Sequence, residues 1–344
     1  MKAVILAGGL ATRLRPLTIE RPKSLVPVLN RYFLEHILFN LKNSGIEEIV
    51  LATGHMGQTI EERLGDGQKF GVRLFYAEED RPLGTAGAIR NCAAHLDSSF
   101  LVLNGDIFTD INYAELIEFH QKVNATISIL TTIVEDPSAF GLISTDRSGR
   151  VIEFLEKPKP GTILSGQINA GVYILNPEVL DCIPQGECSL EREIFPRLIN
   201  NGKPVFAYKS DAYWIDIGTP ENYLKLNQDM LTGKCRANLI EGLFKEDNPG
   251  GPILIGEGTV QGHNVKIFGP TVIGNNCRIE DGTIIEASLL WDSVLVEEGV
   301  TIKNSIIASN CRLNCGSQVL NSVIGPRVSV SANTILGPGS RIFP

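Results

Sequence analysis

Two rhythms of apolar and polar residues run along this chain. Up to about Leu231, short apolar runs alternate with stretches whose apolar residues recur at helical spacing. Val4-Ile5-Leu6-Ala7, Ile49-Val50-Leu51-Ala52, Phe100-Leu101-Val102-Leu103 and Thr126-Ile127-Ser128-Ile129-Leu130 read as strands. Runs that are apolar at every position suit a strand buried on both faces. Leu34 to Leu41 and Tyr113 to Gln121 read as helices. The alternation predicts an α/β fold with a Rossmann-like, mainly parallel sheet covered on both faces. Ligands of such sheets gather at the carboxyl ends of strands.

Past the polar, glycine-rich connector Glu246-Asp247-Asn248-Pro249-Gly250-Gly251, the rhythm shortens. Apolar residues fall at Ile255, Ile267, Ile273, Ile279 and Ile285, six apart except where Gln261 takes a turn. They resume at Val296, Ile302, Ile307, Leu313, Val319, Ile324, Val330 and Leu336. A short internal repeat means a solenoid of stacked coils. The pattern resembles the hexapeptide repeat of left-handed parallel β-helices, in which three hexads make one triangular coil. It divides the chain into 1–235, a connector 236–252 and a β-helix 253–344. Such a β-helix is expected to assemble subunits into a homo-oligomer.

Composition narrows the class. The chain has 344 residues, 43% hydrophobic and 20% charged, enough for two domains. A net charge of −8 argues against a general nucleic-acid binder, so any basic cluster is a local device. Seven cysteines without a CxxC pair predict free thiols in a reducing cytoplasm rather than a zinc site. The chain enters a strand at once, without a charged leader, and holds no apolar run of membrane length.

The basic cluster is "LAGGLATRLRPLTIERPKSLVPV", Leu6 to Val28. Gly8-Gly9 after a buried strand lets backbone N–H groups approach a phosphate, and Arg13, Arg15 and Lys23 add positive charge. A phosphate-cradling loop calls for a divalent ion, and Mg²⁺ prefers one or two carboxylates plus substrate oxygens. Asp106 follows the strand Phe100–Leu103, and Asp216 lies between two isoleucines, awkward unless its charge meets a cation. Either Asp could equally cap a turn. Glu156-Lys157-Pro158 and Asn169-Ala170-Gly171-Val172-Tyr173 are ordinary surface-pair and turn sequences taken singly. Together they would suit a sugar phosphate.

"GGLATRLRPLT" with "RPKSLVPV", then "PLGTAGA", "LNGD", "FLEKP", "NAGVY" and "YWIDIGTP", in this order, closely resemble the sugar-1-phosphate nucleotidylyltransferases. The likeness covers Met1 to about Gly233, and a C-terminal β-helix is a frequent companion there. Ala11 stands where the family usually has Gly. The resemblance implies transfer of a nucleotidyl group from a nucleoside triphosphate to a sugar 1-phosphate, with pyrophosphate released. It implies nucleotide contacts at Leu6, Ala7, Gly8, Gly9 and Thr12. Arg13 would stabilise the leaving pyrophosphate, Lys23 would bind the α-phosphate, and Asp106 and Asp216 would hold Mg²⁺. Lys157 would grip the sugar's phosphate, while Gly141, Glu156, Asn169 and, more weakly, Glu191 would read its hydroxyls. A phosphate oxygen needs no general base, so a site of Lys, Arg and Mg²⁺ without catalytic His or Cys is coherent.

Nucleotide choice turns on Glu79. Thymidylyl and uridylyl members of the family often carry Gln there, five residues before the Gly matching Gly84. An ionised carboxylate only accepts, which suits the N1–H and N2–H donors of guanine. Otherwise Glu79 faces solvent and the backbone of Gly84 and Thr85 reads the base. The run resembles that of mannose-1-phosphate guanylyltransferases, so GTP and mannose 1-phosphate are expected. Glucose 1-phosphate with dTTP or UTP, and heptose 1-phosphate with GTP, are the alternatives. A nicotinamide site lacks its GxGxxG. An acyltransferase would rely on His263, whose Gly-His-Asn setting reads as a repeat turn. A binding protein on an inactive transferase fold sits poorly with so many retained charged residues.

Overall fold

The computed structural model describes residues 1–157, 166–236, 242–245, 248 and 250–344. Pro158, Glu246, Asp247 and Pro249, named above, lie outside the described residues. The chain forms two compact units, Met1–Gly9 with Leu38–Trp214, and Leu10–Ile37 with Ile215–Pro344. This division differs from one drawn by rhythm alone, because the segment after Gly9 groups with the solenoid.

The first unit is built on a nine-stranded sheet. Its strands are β1 (Ala3–Leu6), β2 (Glu48–Thr53), β3 (Arg73–Glu78), β4 (Phe100–Asn104), β5 (Ile127–Ile133), β6 (Gly141–Thr145), β7 (Val151–Glu156), β8 (Gln167–Leu175) and β9 (Val205–Lys209). The order is β7-β6-β8-β4-β1-β2-β3, with β5 pairing β8 and β9. Three of the runs read as strands form β1, β2 and β4, which with β3, not read from the sequence, make the parallel part β4-β1-β2-β3. Val4, Val50, Val102 and Ile129 lie in its core with Tyr173 and Phe195. The order turns back at β4 and β1, where a crevice opens at the carboxyl edge of such sheets. Gly8, Gly54, Glu79 and Asp106 follow β1, β2, β3 and β4 on that edge. A Cβ on Gly105 would lie 2.5 Å from the Leu6 carbonyl, so the close approach of β4 to β1 demands glycine there.

β8 runs antiparallel to both β4 and β5, and its register with β5 shifts between Asn169 and Tyr173. Gly171, at φ +71°, supplies the left-handed turn inside that bulge. Bulges re-aim side chains beside sites, and this one involves Asn169.

In the second unit, the solenoid is a left-handed parallel β-helix with three parallel faces. Ile255 pairs with Ile273, eighteen residues on, but Ile273 pairs with Leu290, seventeen on. The first coil turns its third corner with Gly269-Pro270, whereas later coils use a single left-handed residue, Ala287, Asn304 or Asn321. This shorter corner accounts for the five-residue steps Ile302–Ile307 and Val319–Ile324. Thr271, Ser288, Ser305 and Ser322 are buried along one edge. Each later serine N–H donates to the hydroxyl of the coil before, at 3.1–3.3 Å, satisfying polar groups inside an apolar solenoid. His263 lies in a corner, its N–H donating to Asp281 Oδ1 at 2.7 Å.

Helix Pro220–Leu231, capped by Thr219, and the segment 10–37 pack on this solenoid. Leu29 N–H donates to Asn227 Oδ1 at 3.0 Å, and Asn30 Nδ2 to the Ile273 carbonyl at 3.0 Å. Trp291 Nε1 donates to the Tyr223 hydroxyl at 3.1 Å, and that hydroxyl donates to the Pro27 carbonyl. All seven cysteines are free, five of them buried. Among the described residues no helix is long and apolar enough to cross a membrane.

Candidate active site

On the first unit, the exit of β1 is narrow by construction. Gly8 faces Gly54 and the Glu79 side chain, whose Oε1 would lie 3.1 Å from a Cβ on Gly8. Glu79 therefore turns toward the glycine loop rather than into solvent, and its Oε2 accepts the Leu83 N–H at 3.0 Å. Half-burial holds its carboxyl above the ordinary pKa, partly offset by that hydrogen bond. Gly84, at φ +68°, opens helix Gly84–Asn91, and a Cβ there would strike the Cys188 carbonyl at 2.6 Å. The glycines of "PLGTAGA" thus serve close packing as well as any ligand.

A hydrogen-bond network converges on Glu191. Its Oε2 accepts from Thr85 Oγ1 at 2.6 Å and Ser189 Oγ at 3.0 Å, and its Oε1 from the Tyr173 hydroxyl at 3.2 Å. That hydroxyl in turn accepts from Asn169 Nδ2 at 2.7 Å, while Asn169 Oδ1 accepts the Gly171 N–H at 3.0 Å. Glu156 adds a second carboxylate, its pKa raised by burial and then by the charge of Glu191. Gly141 pairs with Glu156 across β6 and β7, and a Cβ there would meet Glu156 Oε2 at 2.9 Å. Lys157 leaves β7 at φ +46° with an exposed side chain, its Nζ 4.0 Å from Glu156 Oε1. Two carboxylates, an amide and a tyrosine present acceptors and donors suited to vicinal hydroxyls, and Lys157 an ammonium suited to phosphate.

On the second unit, the cations of the glycine–arginine segment meet Asp216. Asp216 ends the short strand Trp214–Asp216 and has Lys23 Nζ 3.4 Å from Oδ1 and Arg13 Nη2 3.5 Å from Oδ2. The charge that looked awkward between isoleucines meets two cations. Asp216 also closes an Asx turn, accepting the Gly218 N–H at 2.7 Å, so the turn cap and the ion pairs coexist at one side chain. A Cβ on Gly218 would lie 2.6 Å from Arg13 Nη2, which explains glycine after "DI". The Arg13 side chain is 63% exposed, whereas Lys23 is 11% exposed. Ala11 takes left-handed φ 48° and ψ 39° ahead of the single turn Thr12–Leu14. That is a conformation glycine adopts without cost, which accounts for the family's usual residue there.

The structure therefore groups Gly8, Gly9, Glu79, Gly84 and Asp106 on one sheet edge, with Leu6 and Ala7 leading into it. It gathers Thr85, Gly141, Glu156, Lys157, Asn169 and Glu191 on the first unit, and Thr12, Arg13, Lys23 and Asp216 on the second. Sequence reasoning missed Tyr173 as a link, although it closes the "NAGVY" stretch. It missed the Thr85 side chain, which donates to Glu191. It also missed Asn104, whose Oδ1 is buried at the end of β4 without a hydrogen-bond partner among the described residues.

Comparison with known proteins yields two family matches: Nucleotidyl transferase over residues 2–233, and the EIF2B subunit epsilon LbH domain over residues 245–340. The chain is 37% identical over 305 residues to a mannose-1-phosphate guanylyltransferase of Mycobacterium tuberculosis, covering 88% of this chain and 82% of that protein. It is 35% identical over 321 residues to a UTP--glucose-1-phosphate uridylyltransferase of Synechocystis, with the same coverages. Among solved structures, HddC of Yersinia pseudotuberculosis complexed with GMP-PN matches with TM-score 0.59 and 30% identity. That match covers 67% of this chain and 99% of HddC.

Proposed function

The chain belongs to the nucleotidyl transferase family, and from that premise we propose that it transfers a guanylyl group from GTP to mannose 1-phosphate. As a sugar-1-phosphate nucleotidylyltransferase it joins a nucleoside triphosphate to a sugar phosphate. In this reading a phosphate oxygen of mannose 1-phosphate attacks the α-phosphorus of GTP. A new P–O bond forms there, the bond to the β-phosphate oxygen breaks, and pyrophosphate leaves with that electron pair. The nucleophile is already ionised at neutral pH, so positioning and charge neutralisation carry the catalysis.

Arg13 neutralises the leaving pyrophosphate and Lys23 the α-phosphate, while Gly8, Gly9 and Thr12 offer backbone donors. Lys157 binds the sugar's phosphate; Glu156, Asn169 and Glu191 read its hydroxyls. The hard oxygen donors of Asp106 and Asp216 fit Mg²⁺. Both cations stand at 3.4–3.5 Å from Asp216. Tight charge-assisted contacts run to about 2.7–2.9 Å, so its oxygens keep lone pairs for a metal. When bound, Mg²⁺ adds positive charge against the triphosphate. We extend the proposal to a homo-oligomer assembled through the β-helix and to the reducing cytoplasm that suits seven free thiols.

The observation that supports GTP is the carboxylate of Glu79 turned toward Gly8. A half-buried acceptor with no proton to give complements adjacent N–H donors and repels a pyrimidine O4. Pyrophosphate release with Mg²⁺, crossing five nucleoside triphosphates against mannose and glucose 1-phosphates, tests it. GTP with mannose 1-phosphate is the expected best pair. Preference for UTP or dTTP with glucose 1-phosphate, the activity named for the Synechocystis relative, would overturn the guanine assignment while keeping the reaction class.

A further inference from the structure

We propose that Arg341, on the β-helix strand Arg341–Ile342, is a positioning residue that clamps the backbone of Arg13. The inference rests on the reading of Arg13 as a triphosphate ligand, and it concerns residues of the second unit only. The segment Ala11–Pro16 is poorly able to hold itself. Its regular part is one 3₁₀ turn, Thr12–Leu14, entered through left-handed Ala11. Single 3₁₀ turns have weak internal hydrogen bonds and leave carbonyls unsatisfied at their exit. Pro16, at the next position, has no N–H to offer.

Arg341 supplies what the turn lacks. Its Nη1 donates to the Arg13 carbonyl at 3.1 Å and to the Arg15 carbonyl at 3.3 Å. Cationic side chains at helix exits commonly satisfy such carbonyls. Glu221, in the first turn of helix Pro220–Leu231, lies 3.9 Å from Nη2 and balances the guanidinium charge. The same coil region touches the segment once more and the chain just after it. Arg327 pairs with Glu20, and a Cβ on Gly325 would meet Pro16 at 2.8 Å. Arg13 is a long, exposed side chain, so its aim depends on where its backbone is fixed. The solenoid thereby does more than stack coils: it sets the position of a charge the reaction needs.

The test compares Arg341→Met and Arg341→Lys with wild type and with Arg312→Met, a solenoid surface variant remote from these carbonyls. Misplacing a catalytic group by about an ångström costs on the order of 100-fold, and a residue acting through another should cost less. Arg341→Met should lower kcat/KM for the nucleoside triphosphate by roughly 10–100-fold. The KM for sugar phosphate should stay unchanged, and Arg341→Lys should recover part of the loss. Amide hydrogen exchange should accelerate in residues 11–16 of Arg341→Met, with the thermal midpoint near that of wild type. Arg312→Met should behave as wild type in both assays. Unchanged kinetics and exchange in Arg341→Met would overturn the clamp, as would equal loss toward both substrates. If wild type itself shows no nucleotidyl transfer, the function reading fails, and the exchange comparison alone still decides the clamp.

Discussion

The Glu191 network and the Asp216 cation cluster are built to opposite specifications. Around Glu191 the hydrogen bonds are short, 2.6 to 3.2 Å, and nearly every polar atom is committed to a protein partner. Around Asp216 the cations stand off at 3.4 and 3.5 Å, and Arg13 is largely exposed. Hydroxyl recognition depends on donors and acceptors fixed in advance, because a wrong sugar is rejected by leaving one of them unpaired. A polyphosphate is served by cations whose contacts with Asp216 are long. Tight pairs would have to be broken before the ligand could bind. The difference explains why the first region is rich in Thr, Tyr, Asn and Glu, and the second in Arg, Lys and Asp.

Removing the counter-ion should give the largest effect. Asp216→Ala removes the carboxylate that Arg13 and Lys23 share, and with it a metal ligand of the proposed site. Turnover should fall by about 10²–10³-fold or more, in the range of losing a preorganised electrostatic group. Circular dichroism should show an intact fold, and Asp106→Ala should behave likewise. Full activity in either variant, measured by pyrophosphate release, would break the metal assignment.

A second effect separates the regions by pH. His36 is buried in the second unit, its Nε2–H donating to the Val28 carbonyl at 2.9 Å while Nδ1 has no partner among the described residues. Burial, the largest cause, lowers its pKa to about 4, with the nearby Arg31 charge adding to the shift. The folded value lies below the unfolded one, so the neutral form is favoured by folding. Its stability contribution is complete above the ordinary value of 6.5 and is lost as pH falls toward 4. The loss is about 3 kcal/mol, readable as a fall in urea stability over that window. His36→Gln should flatten that slope, and an unchanged slope would contradict the assignment.

Glu191→Gln sharpens the comparison from the other side. It puts an amide donor against the donors of Thr85 or Tyr173, costing about 1–3 kcal/mol of stability for groups left unpaired. The KM for sugar phosphate should rise while that for the triphosphate holds. Glu79→Gln should narrow the preference for GTP over UTP by roughly tenfold, about the worth of one hydrogen-bond mismatch. The acid limb of kcat/KM for GTP should lie above the ordinary glutamate range, because only ionised Glu79 accepts twice, and it should vanish in the variant. Ala11→Gly is the smallest. Relief of left-handed strain, offset by added unfolded-state entropy, should raise stability by about 0.5 kcal/mol, visible as a small rise in thermal midpoint.

Much of this was legible along the chain, for reasons that differ by region. β1, β2 and β4 could be read because a doubly buried strand must be apolar at every position. Asp216 could be read because a charge between isoleucines demands a partner, although the cations that meet it, Arg13 and Lys23, stand 203 and 193 residues away. The direction of β8 could not, since "NAGVY" pairs with residues far away and its apolar pattern is the same in either direction. Nor could the centrality of Glu191, whose partners Thr85 and Tyr173 stand 106 and 18 residues from it. The seventeen-residue coil showed as broken phase in the hexads, but its cause, a one-residue corner at Ala287, is a backbone conformation. Arg341 was invisible because it acts on carbonyls 328 and 326 residues away.

The most direct test of the division of labour is a paired determination of both Michaelis constants in Lys23→Met and Glu191→Gln, with GTP and mannose 1-phosphate. The account predicts that Lys23→Met raises the KM for GTP and leaves that for mannose 1-phosphate near wild type, and that Glu191→Gln does the reverse. Equal shifts in both constants for both variants, or the opposite pairing, would contradict it.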